Sequence, residues 1–234
     1  MTISFSKGDF YLFVLFICYL MDLHERSNLM NIPLSKLDHS FYDRKDVTRI
    51  ARELLGKILV TKFNGMVTSG RIVETEAYAG AGDKASHAYG NRRTARTEVM
   101  FGKPGTAYVY LCYGIHHLFN VVTNKTDIPH AILVRAVDPL DGVDSMLLRT
   151  GKSKLDHTLT RGPGNVSRAL GIFTYHTGTS LLSEELFIAT DGSKLKASQV
   201  ITTTRIGVDY AAEDSLLPYR FFVKDNPYVS GRRK

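Results

Sequence analysis

The stretch "RIVETEAY", residues 71–78, contains the side chains best suited to chemistry. Its composition is typical of a β-strand, in which side chains point alternately to the two faces of the sheet. Glu74, Glu76 and Tyr78 are therefore predicted to lie on one face. Two carboxylates and a tyrosine on the same face are unusual unless that face serves a purpose.

Three interpretations of these carboxylates remain open at this point. The strand face could be exposed, with both glutamates solvated. One glutamate could instead act as a general base that activates water. Alternatively, both could bind a divalent metal as in a nuclease, for which only Asp83 and Asp138 are candidate further ligands.

A second strand-like stretch, "YVYLCYG" over residues 108–114, contains three tyrosines. Tyr108 and Tyr110 are predicted to share a strand face, and Tyr113 precedes Gly114 at the end of the strand. Core packing is the favoured role for Tyr108. The other two fit core packing or an exposed role equally well. Exposed or pocket-lining rings could stack on a nucleobase or wedge between base pairs.

Basic residues lie in the loop between these two strands and inside a later strand. Arg92, Arg93, Arg96 and Lys103 suit contacts with phosphate groups, although a solvated loop is also consistent with them. Arg135 differs because it interrupts the apolar stretch "ILVRAV". A cation in such a strand is expected to be paired or functional.

The overall composition is that of a basic globular protein. The chain has 234 residues, 44% of them apolar, a formal charge of +7 and a pI near 9.3. This length predicts a single domain, with two small domains as the alternative, and the charge fits either a polyanionic partner or a merely basic protein. Two cysteines without a CxxC pair or an HExxH motif indicate a reducing compartment and argue against a structural zinc site.

An apolar run, "FYLFVLFICYLM" at residues 10–21, interrupts this pattern near the start of the chain. It is shorter than the roughly 20 residues that a membrane span requires. It could be a weak membrane anchor, a partner-binding helix or upstream sequence translated from a misassigned start. We favour the third interpretation, with Met21 and Met30 as later starts.

Several elements are predicted around the candidate residues. Apolar residues at helical spacing, followed by Gly56, predict a helix within "DRKDVTRIARELLGKILV". Asn64-Gly65 predicts a hairpin between "KILVTKF" and "TSGRIVETEAY". Residues 79–105 are predicted to be mainly loop. Further predicted strands are "AYVYLCYG", "LFNVVT", "AILVRAV", "LFIAT", "RIGVDY" and "YRFFV", and further predicted helices are 140–150 and 163–171. This order favours a mixed α+β domain.

The order of these motifs resembles that of the alkyladenine (3-methyladenine) DNA glycosylases of the mammalian type, which also occur in bacteria. The match rests on "GRIVETEAYAG" and "DKASHAYGNRRTARTEVMFGKPGTAYVYLCYGIHHLFNVV", and then on "AILVRAVDPLDG", "GPGNVSRALGI", "RIGVDYAAE", "YRFFV" and "NPYVSG". It covers about residues 38–231. The resemblance implies a single mixed domain around a curved antiparallel sheet, similar to the C-terminal domain of formyltransferases.

The resemblance also implies an activity and roles within the base pocket. These enzymes flip damaged purines out of duplex DNA and cut the bond between base and sugar. Glu76 matches the family's general base, which activates the attacking water. Tyr78, His87 and Tyr110 match the residues that sandwich the flipped base. Asn120 matches the pocket residue that disfavours the amino group of guanine.

Other matched positions are implied to contact the DNA outside the pocket. Tyr113 matches the residue that fills the gap left in the helix, and Arg135 matches a basic residue near the DNA backbone. Ile115 and His116 would face the minor groove, where relatives often have Met and Tyr. This departure affects the expected DNA affinity and lesion range more than the reaction.

The remaining expectations concern partners and organisation. Arg92 and Arg93 are expected to contact DNA, and Glu74 is expected to make a structural hydrogen bond. We expect a monomer that acts on double-stranded DNA without metal or cofactor, leaves an abasic site and makes no stable membrane association. The expected compartment is the cytoplasm, on the nucleoid in a bacterium. Residues 1–32 are expected to be an extension, and 33–234 the glycosylase domain. A metal-dependent nuclease and a non-catalytic nucleic-acid-binding module are the alternatives.

Overall fold

The computed structural model of this chain describes residues 33–231. From Lys36 onward, these residues belong to one compact unit. The predicted extension 1–32, with its apolar run, lies outside the described residues. Within the described range, no helix has the length and apolar character needed to cross a bilayer.

The described part of the chain contains nine strands and four α-helices. The strands are β1 (Ser35–Lys36), β2 (Ile58–Phe63), β3 (Met66–Tyr78), β4 (Ala107–Cys112), β5 (His116–Thr123), β6 (His130–Pro139), β7 (Leu186–Thr190), β8 (Val200–Thr203) and β9 (Arg220–Val223). The helices are α1 (His39–Tyr42), α2 (Val47–Leu54), α3 (Val143–Thr150) and α4 (Pro163–Leu170).

The strands form one antiparallel sheet that curls into a half-barrel. From β7 inward, the order is β7-β2-β3-β6-β5-β4, and β9 joins β3 with β8 beside it. Strand β3 is the organising strand because it pairs with β2 along its first half, with β9 along its second half, and with β6 on its other edge. The predicted α+β domain around a curved antiparallel sheet is confirmed. The likeness to a formyltransferase domain stays a prediction.

Helix α2 forms where the spacing of apolar residues predicts it. The Asp46 side chain caps its first turn by accepting the backbone N–H of Arg49 at 2.9 Å. Its apolar face, including Ile50 and Leu54, is fully buried against the sheet. The helix ends before Gly56, whose φ of +82° is a conformation that glycine adopts at little cost.

The β2–β3 hairpin confirms the turn predicted at Asn64-Gly65. Both residues have positive φ, +52° and +74°, as a type I′ turn requires. This turn fixes the β2–β3 register and so fixes which face of β3 receives each glutamate. The predicted loop at 79–105 is also confirmed, since it contains only short 3₁₀ turns.

The prediction of a strand at "RIGVDY", residues 205–210, is wrong. These residues form a loop that leads into a 3₁₀ helix, Asp209–Leu216. Two contacts with distant residues and one backbone angle explain the difference. Arg205 is buried in an ion pair, the Ile206 N–H donates to a side chain instead of a strand, and Gly207 has a φ of +73°. The strand in this region is β8, which comes just before.

Candidate functional site

A large pocket opens beside the β4–β5 hairpin. Its volume is about 620 Å³, within the range of roughly 300–1,000 Å³ typical of sites for small organic molecules. The loop 79–105, the loop 205–210 and the start of α4 complete its walls. Seven predicted site residues line it: Tyr78, His87, Tyr110, Tyr113, His116, Asn120 and Arg135.

Glu76 lies directly behind the wall of this pocket, and its side chain is fully buried. Its Oε2 accepts hydrogen bonds from the Tyr78 hydroxyl at 2.9 Å and from Arg135 Nη1 at 3.2 Å. Its Oε1 accepts the backbone N–H of Ile206 at 2.8 Å. Three donors, one of them a cation, match an ionised carboxylate. Tyr78 and Arg135, which donate to Glu76, also line the pocket, so their side chains separate the carboxylate from it.

The Tyr78 hydroxyl is held in its protonated, donating form. Burial, followed by the negative charge of Glu76, raises the pKa of Tyr78 well above its ordinary value of 10. Its ring lies under the Arg205 guanidinium, which is 4.9 Å from the ring centroid. Tyr78 therefore offers an aromatic wall to the pocket and a hydrogen bond to the carboxylate behind it.

Glu74 is the centre of a second, deeper cluster of charges. Its Oε1 accepts from Arg135 Nε at 3.1 Å, from Arg220 Nε at 2.7 Å and from the Ser230 hydroxyl at 2.9 Å. Its Oε2 accepts the backbone N–H of Ser230 at 2.6 Å. The side chain of Glu74 is completely shielded from solvent. Glu74 was expected to make one structural hydrogen bond, and it accepts four, two of them from arginines.

Arg135 links the two glutamates, so the prediction that a cation in this apolar strand is paired is confirmed. Only 7% of the residue is exposed, and its expected contact with the DNA backbone stays a prediction. Two carboxylates on β3 attract its guanidinium inward. The β3–β6 register shifts on either side of Glu74, and such irregularities redirect side chains.

An aromatic cluster forms another part of the pocket wall. Tyr108 is buried, as core packing predicts, and packs with Met100 and Phe101. The rings of His87 and Tyr110 meet edge to face with centroids 4.6 Å apart. The Arg96 guanidinium lies 4.9 Å from the Tyr110 centroid. The loop 79–105 thus places a histidine and an arginine against the tyrosines of β4.

The hydrogen bonds of His87 fix its neutral tautomer. Its Nε2 lies 3.2 Å from Arg96 Nη2, and its Nδ1 lies 2.8 Å from the Tyr108 hydroxyl. Since a guanidinium can only donate, Nε2 accepts and the proton is on Nδ1. Burial, reinforced by the charge of Arg96, lowers the pKa of His87 from 6.5 to about 4. The imidazole therefore adds no positive charge to the pocket at neutral pH.

This low pKa predicts a loss of stability in acid. Between about pH 6.5 and pH 4 the unfolded chain protonates His87 while the folded chain does not, so the free energy of unfolding falls as pH falls. We expect the melting temperature of His87→Gln to fall less than that of the parent protein between pH 7 and pH 4.5. His39→Gln, which changes an exposed histidine of α1, should follow the parent. Equal falls in all three proteins would contradict the buried, neutral assignment.

Asn120 is buried at the base of the pocket, on β5. Its Nδ2 donates to the backbone carbonyls of Tyr108 at 3.2 Å and Leu118 at 3.1 Å. Both amide hydrogens are thereby used within the β4–β5 hairpin. These bonds hold the side chain in one orientation, and a purine entering the pocket would meet a rigid group.

The tip of the β4–β5 hairpin carries Tyr113 and Ile115 into solvent. They are 89% and 70% exposed, so of the two roles left open for Tyr113 the structure shows the exposed one. Tyr113 has a φ of +51°, which is uncommon for a bulky residue, and Gly114 follows at +72°. His116 is exposed at the pocket rim against Gly164 of α4, where an added Cβ would lie only 2.9 Å from its Nδ1.

Arg92 and Arg93 are both exposed on the loop 79–105, outside the pocket wall. Arg93 forms ion pairs with Glu98 at 2.8 Å and with Asp127 at 3.0 Å, and it lies over the ring of Phe101. Its charge is thus partly balanced on the protein itself. The expected contact of Arg92 and Arg93 with DNA stays a prediction.

A buried ion pair joins the two loops that frame the pocket. Arg205 donates from both terminal nitrogens to the two oxygens of Asp83, and both side chains are essentially inaccessible to solvent. Asp83 also accepts the backbone N–H groups of Ala79 and Ala85. The pair fixes the loop 205–210 where the Ile206 N–H reaches Glu76.

The carboxylates once considered for a metal site are separated in the structure. Asp83 is committed to Arg205, while Asp138 accepts from the Asn226 amide at 3.3 Å. Both Glu74 and Glu76 are paired with Arg135, a cation in the place where a metal would have to bind. Among residues 33–231, no group of three or more His, Cys, Asp and Glu side chains could hold a metal ion.

Three contributors to the site were not identified in the sequence. The Asp83–Arg205 pair joins residues 122 positions apart, and Arg220 reaches Glu74 across 146 positions. The third contributor is the Ile206 backbone N–H, which has no signature in residue type. The sequence indicated these contributors only through arginines in otherwise apolar segments near the end of the chain, such as "YRFFV".

Comparison with known proteins gives a consistent result. A family model described as methylpurine-DNA glycosylase matches residues 40–227. A protein of Alkaliphilus oremlandii is 45% identical over 202 residues, which cover 83% of this chain and 98% of that protein. A protein of Chlamydia abortus is 49% identical over 189 residues, which cover 80% and 97%. Both bear the name "Putative 3-methyladenine DNA glycosylase".

Proposed function

This chain belongs to the methylpurine-DNA glycosylase family, and we propose that it excises alkylated or deaminated purines such as 3-methyladenine from duplex DNA. The reaction hydrolyses the N-glycosidic bond and leaves an abasic site. The damaged nucleotide first leaves the helix, which costs a few kcal/mol and less for a damaged base. The open pocket beside the β4–β5 hairpin then receives the flipped base.

Glu76 is the general base of the proposed reaction. Its carboxylate takes a proton from the water that attacks the anomeric carbon, and its charge stabilises the positive charge that develops on the sugar. In the DNA-free protein its two oxygens are occupied by three donors. A carboxylate has about four lone-pair positions, so one remains on Glu76 to accept the attacking water.

The aromatic side chains supply the recognition of the damaged base. Tyr78, His87 and Tyr110 sandwich the purine, and cationic alkylated purines gain a cation–π attraction from these rings. The neutral imidazole of His87 suits such bases because it does not repel a positive charge. The rigid Asn120 disfavours the additional amino group of undamaged guanine.

Tyr113 at the hairpin tip is the wedge that fills the gap in the helix. Its positive φ and 89% exposure make it a poor residue for stability alone. We expect Tyr113→Asn to retain or gain up to about 1 kcal/mol of stability, because Asn tolerates this backbone conformation. Excision should nevertheless fall about tenfold or more as flipped DNA loses its wedge.

Tyr175→Asn is the matched control for this substitution, since Tyr175 is 75% exposed at an ordinary φ. Thermal unfolding and single-turnover excision of hypoxanthine from a duplex measure the two effects. A Tyr113 variant that excises at the parent rate would contradict the role of wedge.

One observation carries the proposal: a carboxylate bound by three donors lies directly behind an aromatic pocket large enough for a purine. A labelled duplex with one hypoxanthine tests it in the presence of EDTA, with released 3-methyladenine measured in parallel from alkylated DNA. We expect strand breaks only after hot alkali, or released methyladenine. Inactivity of the folded protein on both substrates would contradict the proposal.

The same assay distinguishes the two alternatives. A metal-dependent nuclease would lose activity in EDTA and would cut strands without alkali. A binding module would retain damaged DNA without releasing any base. No lysine matches the position of a Schiff-base nucleophile, so the proposed enzyme does not cut the strand itself. The proposal extends to a metal-independent monomer in the cytoplasm, acting on the nucleoid in a bacterial cell.

A further inference from the structure

Arg135 donates hydrogen bonds to two glutamates, of which only Glu76 has a proposed role in catalysis. Its Nη1 donates to Glu76 at 3.2 Å, and its Nε donates to Glu74 at 3.1 Å. Its Nη2 donates to the Ser230 hydroxyl at 3.2 Å. All three nitrogens are thus engaged, and only one of them contacts Glu76.

An arginine beside a single carboxylate favours two parallel N–H···O bonds. Such a pair with Glu76 would bring a second N–H donor onto the proposed general base, which needs a free lone pair for water. Glu74 competes for this guanidinium and takes its Nε. Glu74 is itself held rigidly, because Arg220, the Ser230 backbone N–H and the Ser230 hydroxyl donate to it.

We propose that Glu74 is a positioning residue that holds Arg135 away from a bidentate pair with Glu76, and so keeps the general base available to water. This inference rests on the proposed function of Glu76. It assigns a task to the buried carboxylate for which the sequence suggested only a structural hydrogen bond. Two arginines and two glutamates balance in charge within this cluster, so the arrangement depends on Glu74 being ionised.

Glu74→Gln removes the negative charge at nearly constant volume, which weakens the hold on Arg135 and leaves Glu76 as its only charged partner. We expect single-turnover excision of hypoxanthine to fall about tenfold to hundredfold, by analogy with the loss when residues that orient a metal ligand are removed. The Kd for a duplex carrying a stable abasic-site analogue should stay within about twofold. Glu53→Gln, which removes a carboxylate paired with Arg44 and Arg49 on the surface of α2, should change neither quantity.

A double variant separates positioning from mere stability, because Glu74→Gln leaves buried positive charge unbalanced and could unfold the protein. Glu74→Gln combined with Arg220→Met removes one charge of each sign, and is expected to restore folding. If Glu74 acts by positioning, the double variant folds well and still excises slowly. Recovery of the parent excision rate together with stability would overturn the inference.

Two reference proteins make the failures distinguishable. An inactive parent protein, or an active Glu76→Gln variant, would contradict the proposed function itself. An active parent with an inactive Glu76→Gln variant, but with parent rates in both the single and the double Glu74 variants, would contradict only the task assigned to Glu74. Loss of DNA binding in step with loss of excision would also overturn it.

Discussion

Glu76→Gln is expected to abolish base excision while the protein still binds damaged duplex DNA. General-base catalysis contributes about 10²–10⁴-fold, so the single-turnover rate should fall at least about a hundredfold. Glutamine has nearly the same volume and retains one oxygen that can accept the Ile206 N–H. Arg135 keeps its ion pair with Glu74, but two buried arginines then share one carboxylate, so we also expect some loss of stability.

The measurement is single-turnover excision of hypoxanthine, with binding to the same duplex determined in parallel. Glu53→Gln serves as control, because it removes a carboxylate from the surface of α2. The expected combination is parent-like binding with no detectable product. If Glu76→Gln excised at the parent rate, the carboxylate behind the pocket would have no part in catalysis. If it lost binding instead, Glu76 would be a structural residue.

Asp83→Ala is expected to cause the largest loss of stability among the substitutions considered. It leaves the Arg205 guanidinium buried without its carboxylate, and breaking a buried ion pair typically costs about 3–5 kcal/mol. Two backbone N–H groups, of Ala79 and Ala85, also lose their acceptor. The loop carrying the Ile206 N–H would no longer be fixed, so excision per folded molecule should fall as well.

Glu98→Ala is the comparison for a surface ion pair, because the side chains of Glu98 and Arg93 are each about half exposed. Exposed pairs contribute about 0–1 kcal/mol, so this variant should unfold almost like the parent. Urea unfolding at pH 7 gives both free energies. Asp83→Leu combined with Arg205→Met should recover much of the lost stability by replacing both charges. Equal costs for Asp83→Ala and Glu98→Ala would show that the Asp83–Arg205 pair does not hold the two loops.

The parts predictable from sequence are those in which local spacing determines geometry. Alternation along "RIVETEAY" placed Glu74 and Glu76 on one face, and Arg135 does contact both of them. The Asn64-Gly65 turn follows from the backbone preferences of two residues. The resemblance to a family added the roles of these residues, which no spacing could supply.

The parts that could not be predicted depend on contacts between distant residues. "RIGVDY" has the composition of a strand, but the ion pair of Arg205 with Asp83 outweighs that local preference. Arg135 was expected to be paired or functional, but its partners, two carboxylates on a neighbouring strand, could not be identified from the sequence. A single sequence contains no information on which pairs of charges meet once the sheet has curled.

The hydrogen bond from Ile206 to Glu76 comes from the main chain, which has a consequence for how this position can evolve. Any of the amino acids that retain a backbone N–H can stand there without removing the donor, and proline alone cannot. Random substitution at codon 206 would thus leave this bond in place in most clones. Selection for particular residue types therefore acts on Arg205 and Gly207, which hold the path of the chain on either side of the donor.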